Sequence, residues 1–96
     1  MSRRHYLVTY DVSDDKRRDG VFTLLQGNGD HAQYSVFLCQ LSGTELARLR
    51  SDLQPLIKAD EDQVLIVDLG KVRPGESASI EAIGQAYSPP IRTMIV

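Results

Sequence analysis

The chain has 96 residues, 42% hydrophobic and 25% charged, with a net charge of −2. These proportions are those of one globular domain and exclude a disordered tail, a collagen-like fibre and a protein that coats nucleic acid non-specifically. The single cysteine excludes a disulfide scaffold, and apolar runs of about five residues are far shorter than the roughly 20 that a membrane helix needs. Arg3-Arg4 is followed only by Tyr6-Leu7-Val8, too short for the apolar stretch of an export signal. Cys39 reads as a small core residue in a reducing compartment, so the expected location is cytoplasmic, without membrane contact. Charge is uneven along the chain. Residues 1–18 carry Arg3, Arg4, Lys16, Arg17 and Arg18 against three aspartates, whereas the remainder is net acidic. A phosphate-binding surface is therefore expected around the first strand and the start of the helix after it.

His5–Val12 is rich in β-branched and aromatic residues and reads as a strand, with Leu7, Thr9 and Asp11 on one face and Tyr6, Val8, Tyr10 and Val12 on the other. Ser13 offers a helix N-cap, with Asp14 and Asp15 in the first turn where carboxylates complement the helix dipole. Val21, Phe22, Leu24 and Leu25 form the apolar stripe of that helix, and Gly27-Asn28-Gly29 ends it. Ala32–Leu41 is extended, long for one strand, and supplies two only if the chain reverses tightly near Tyr34-Ser35. Ser42 and Glu45 form a capping box ahead of Leu46, Leu49, Leu53 and Leu56 at helical spacing, and Pro55 ends or kinks that helix. Asp60-Glu61-Asp62 reads as a solvated turn and Val64–Leu69 as an apolar strand. Lys71–Gly75 reads as a loop, Ser79–Ile83 as a short strand or weak helix, and Ile91–Val96 as a terminal strand. The order strand, helix, two strands, helix, strand is the ferredoxin-like βαββαβ pattern of an α+β fold. One domain spans 1–96, with a core over about 5–70. The tail, 71–96, is expected to add one or more C-terminal strands that pair across a homodimer.

Few chemistries fit these residues. No glycine-rich loop opens a helix, and Cys39, His5 and His31 are too few for a structural zinc site. Asp11 stands apart because it ends an otherwise apolar or hydroxylated strand at a strand-to-helix junction. It reads either as a turn or capping aspartate or as a ligand for a divalent metal. Mg²⁺ takes one or two carboxylates and keeps several waters, so a symmetric dimer that brings together two copies of Asp11 supplies enough.

Tyr6-Leu7-Val8-Thr9-Tyr10-Asp11-Val12-Ser13-Asp14-Asp15, then Arg17-Arg18, then Gln33-Tyr34-Ser35-Val36-Phe37 resembles the CRISPR-associated protein 2 family over about residues 5–70. The resemblance implies a ferredoxin-like homodimer with a Mg²⁺- or Mn²⁺-dependent endonuclease activity on RNA or double-stranded DNA, and a role beside a CRISPR integrase in spacer acquisition. It implies that Asp11 binds the metal and that Tyr10, Arg18 and Phe37 belong to the catalytic site; Arg17, Arg18 and Ser35 are the candidate nucleic-acid contacts. Gly20 and His31 stand where some members carry basic residues, which weakens phosphate binding.

Blander readings stand beside these. Arg17 and Arg18 can pair with Asp14 or Asp15, Tyr10, Tyr34 and Phe37 can be sheet packing, and Ser35 can be a bend residue. Arg48, Arg50, Lys71 and Arg73 are solubilising charges, or dispersed cations that track a DNA backbone. The rival to the enzyme is a non-catalytic DNA-binding adaptor of the integrase. A toxin-type ferredoxin-like ribonuclease is a further alternative. A single-stranded RNA binder of the RRM type lacks its aromatics in Gln33–Gln40.

Overall fold

The computed structural model describes residues 2–74 and 80–87. Strand β1, Arg4–Asp11, runs through the middle of the sheet and is followed by helix α1, Asp15–Gln26. Strands β2, Gly29–Gln33, and β3, Val36–Leu41, form a hairpin. Helix α2, Gly43–Leu53, passes into a 3₁₀ turn over Gln54–Leu56 that contains Pro55, and β4, Gln63–Lys71, completes the sheet. The order β2-β3-β1-β4, antiparallel throughout, is the ferredoxin-like arrangement expected from the sequence.

The alternation expected in β1 decides which face is covered. Tyr6, Val8 and Tyr10 point toward the helices, where they form one core with Phe37, Cys39 and Leu41 of β3, Val21 and Leu25 of α1, and Leu46, Leu49 and Leu53 of α2. Ser42 caps α2: it accepts from the Glu45 N–H, and the Glu45 carboxylate accepts from the Ser42 N–H at 2.8 Å. Helix α1 begins one residue later than the sequence suggests. Asp14, not Ser13, is its N-cap, with the carboxylate accepting from the Arg17 N–H at 2.9 Å. A carboxylate there satisfies an orphan N–H and also complements the helix dipole.

The expected reversal at Tyr34-Ser35 is present, and Gln33 pairs with Val36 across it. Ser35 adopts φ +61°, the left-handed region that a two-residue hairpin demands. Strand β2 begins at Gly29, three residues before the expected extended region. A Cβ at Gly29 would lie 2.5 Å from both Cys39 Sγ and the Leu38 carbonyl oxygen, so only glycine lets the chain turn from α1 straight into the sheet.

Among the described residues no helix covers the opposite face of the sheet. Leu7, Thr9 and Asp11 of β1 lie there, and the register sets Leu65 opposite Thr9, Val67 opposite Leu7, and Leu38 opposite Leu7 from the other side. Leu65 is 49% exposed, Val67 43%, and Leu69, at the bulge beside His5 and Tyr6, 51%. Residues 80–87 form neither the short strand nor the weak helix expected over Ser79–Ile83. The terminal strand expected at Ile91–Val96 lies outside the described residues. No helix among the described residues is long and apolar enough to cross a membrane.

Candidate functional site

The residues singled out in the sequence collect at one end of the sheet. Asp11 closes β1, and its antiparallel partner on β4 is Gln63. The Asp11 side chain is exposed and enters no hydrogen bond or ion pair among the described residues. One residue earlier the chain faces inward. Tyr10 is buried, stacks on Phe37 with ring centroids 6.3 Å apart, and donates its backbone N–H to the Ser35 carbonyl at 3.2 Å. Burial pushes the Tyr10 phenol above its ordinary pKa, against the opposing effect of the Ser35 side chain beside it.

Phe37 lies inside the core. Its ring has no solvent exposure and packs among Tyr10, Phe22 at 5.5 Å and His31 at 4.9 Å. A fully buried apolar ring cannot touch a phosphate, so within this chain Phe37 supports Tyr10 from beneath. His31 also lies edge-on to Phe22 at 5.2 Å and covers the aromatic cluster.

The two arginines are engaged by their own chain. Arg18 pairs with Asp15 one turn away on α1, and it donates from Nη1 to the Val12 carbonyl at 3.1 Å. Arg17 reaches across the fold instead. Its Nε and Nη2 grip the Asp62 carboxylate at 2.8 and 3.2 Å, a bidentate pair. Asp62 is not the solvated turn residue that the acidic run suggests: its side chain is wholly buried. It also accepts from the Ser13 N–H at 3.2 Å and the Lys58 N–H at 2.9 Å. These donors, Arg17 first, hold the Asp62 carboxyl far below the usual carboxylate range. Asp62 thus staples the segment after Asp11 to the turn that leads into β4. Sequence reading missed it because Arg17 and Asp62 are 45 positions apart and nothing local marks the contact.

The geometry therefore brings Asp11, Tyr10, Ser35 and Arg18 to one sheet end, puts Phe37 beneath them, and assigns Arg17 to the staple. As a metal site, one chain offers the exposed Asp11 carboxylate. Among the described residues no group of three or more His, Cys, Asp or Glu could hold an ion. Mg²⁺ needs only one or two carboxylates, so the donor chemistry fits once a second Asp11 is supplied.

Comparison with known proteins gives a consistent result. A family model described as CRISPR associated protein Cas2 matches residues 4–73. The chain is 39% identical over 82 residues to a CRISPR-associated endoribonuclease Cas2 of Rhodospirillum rubrum, covering 85% of this chain and 79% of that one. It is 30% identical to a namesake from Geobacter sulfurreducens, covering 95% of each. Among solved structures, a hypothetical protein from Thermus thermophilus superposes with a TM-score of 0.76 at 31% identity, covering 92% of this chain and 99% of that one. Streptococcus pyogenes Cas2 gives 0.65 at 31% identity, covering 69% of this chain and 86% of that one.

Proposed function

The chain belongs to the CRISPR-associated Cas2 family, and from that membership we propose that it acts in CRISPR adaptation as a nucleic-acid-binding adaptor, a homodimer that docks an integrase partner onto duplex DNA. The observation that carries the adaptor reading is the open face of the sheet. Leu65, Val67 and Leu69 stand about half exposed there beside Leu7 and Leu38, an apolar surface of the kind that docking covers. Arg17 and Arg18 already serve internal carboxylates, and the described residues of one chain gather no three-ligand metal set. What a single chain offers is thus a surface more than a finished catalytic centre.

A second reading, a metal-dependent endonuclease, is favoured by one observation. Asp11 lies on the same open face, exposed and without a partner among the described residues, so face-to-face packing of two copies brings two carboxylates toward a shared axis. The relatives named as endoribonucleases agree with it. Asp11 from each copy would hold Mg²⁺ or Mn²⁺, and such an ion supplies Lewis-acid stabilisation and a water of lowered pKa. Tyr10 and its Phe37 support would set the direction of the strand end that carries Asp11, and Arg18 would neutralise charge beside it.

Asp11→Asn separates the readings. The adaptor reading expects dimerisation, duplex binding and integrase-dependent spacer capture to survive the substitution. Loss of spacer capture with dimerisation and duplex binding intact overturns it in favour of chemistry at Asp11. Cleavage by purified Asp11→Asn at the wild-type rate removes the metal site from either account.

A further inference from the structure

The hairpin tip beside Asp11 holds a feature that neither reading uses. Tyr34 is 79% exposed, an aromatic ring presented to solvent on a two-residue turn. The tip is not free to swing. Ser35 is held at φ +61°, and its carbonyl accepts from the buried Tyr10 N–H at 3.2 Å. Ser35 therefore sits against Tyr10, which places Tyr34 at the sheet end where β1 finishes at Asp11. Tyr34 is also within electrostatic reach of Tyr10 and Arg18.

We propose that Tyr34 is a stacking platform for one unpaired nucleotide base, presented beside Asp11 by the Tyr34-Ser35 turn. The inference rests on the nucleic-acid reading above and adds a subsite to it. Three observations choose a base over the other ligands. The ring is a single aromatic flanked by Gln33, Ser35 and Arg18, whereas the contiguous apolar surface suited to a protein partner lies on the open sheet face. Arg18, the guanidinium within electrostatic reach of Tyr34, is already paired with Asp15 and lies near Asp19, so it is not free for a phosphate, whereas an uncharged base face needs no cation. A pre-ordered tip fixes the backbone that carries the ring before the ligand arrives, which lowers the entropic cost of stacking. Bases inside a duplex are already stacked on one another, so the platform suits a single strand or a frayed end.

The test uses the full chain and two probes of one sequence, a short single strand with one 2-aminopurine and a blunt duplex, titrated across a salt series. Tyr34→Ala should weaken single-strand binding by ~5- to 150-fold, the range for one stacked base, and leave duplex binding unchanged. Tyr34→Phe should bind like wild type, because stacking needs the ring and not the hydroxyl. The slope of log affinity against log salt should be the same in all three, because no phosphate contact is lost. Aminopurine quenching should appear with wild type and Tyr34→Phe and vanish with Tyr34→Ala. Equal single-strand affinity for Tyr34→Ala and wild type overturns the proposal, as does a shallower salt slope. A Tyr34→Ala defect in self-association instead shows that the ring meets a second copy. If wild type binds the duplex but not the single strand, only this inference falls. If it binds neither, the nucleic-acid reading falls with it.

Discussion

If the open sheet face is where a second copy docks, Leu65→Thr combined with Val67→Thr should turn a dimer into a folded monomer. Full burial of a leucine or valine side chain is worth about 1.5–3 kcal/mol. Leu65 and Val67 are about half exposed in the single chain, so a partner adds roughly half of that for each. A two-fold interface counts each residue twice, which gives about 3–6 kcal/mol from four side chains. At about 1.4 kcal/mol per factor of ten, the dimer dissociation constant should rise by ~10²- to 10⁴-fold. Threonine retains the β-branched shape that a strand favours, and its hydroxyl, if buried without a partner, adds to the loss. Neither residue belongs to the core cluster, so the monomer should retain its far-ultraviolet circular dichroism and a cooperative thermal transition. Sedimentation velocity over a dilution series measures the association. Unchanged dimerisation in the double variant refutes the sheet-face docking, and a wild type that is monomeric at every concentration refutes the dimer itself.

Other consequences follow from the same contacts. Gly29→Ala forces a Cβ to within 2.5 Å of the Leu38 carbonyl oxygen, backbone that cannot rotate away, and should cost about 1–3 kcal/mol, a drop in melting temperature of about 5–20 °C by calorimetry. Cys39→Ala should relieve only part of it, since the second close atom is Cys39 Sγ and the carbonyl clash persists. Asp62 has a folded-state pKa below its unfolded value, so the stability it contributes is complete above about pH 4 and drains away as the pH falls further. Urea unfolding of Asp62→Asn should therefore show lower stability than wild type at neutral pH and a shallower loss in acid. An identical acid limb in the two proteins counts against the staple. Arg17→Ala should lower stability even without nucleic acid, because it leaves the Asp62 carboxylate buried and unpaired, and thermal unfolding of the free protein checks this.

The fold was legible where local rules and the tertiary structure agree. The alternation in β1 separated core from open face correctly, and the Ser42–Glu45 capping box marked the start of α2 to the residue. Pro55 ended that helix as its missing N–H requires. The errors fall where neighbours distant in sequence decide the outcome. Gly27-Asn28-Gly29 read only as a helix stop, yet Gly29 is already in β2, because the close approach of Cys39 requires glycine there. Ser13 and Asp14 are both competent caps. Asp14 caps α1, and the backbone N–H of Ser13 is taken by Asp62. The site followed the same pattern. The position of Asp11 at the strand end, on the face opposite Tyr10, followed from period-two alternation, whereas the buried state of Asp62 depended on a partner 45 residues away.

The Arg17–Asp62 pair changes how the charge of this chain is to be read. Residues 1–18 have a basic excess, and a net count treats each of those cations as available to phosphate. The structure engages the four arginines in ion pairs and leaves Lys16 exposed. Arg3 joins Glu45, Arg4 joins Asp68, Arg17 joins Asp62 and Arg18 joins Asp15. Arg3 just before β1, Arg4 in β1 and Arg17 in α1 bridge to α2, β4 and the turn before β4, so the basic excess ties the first third of the chain to its later elements. A nucleic acid that binds this surface must compete with those carboxylates for each guanidinium, and the exposed pairs yield more readily than the buried one because water already screens them. Among the paired arginines, Arg3 and Arg4, half exposed, are therefore those that a backbone phosphate can recruit at little cost, and Arg17 is the one it cannot.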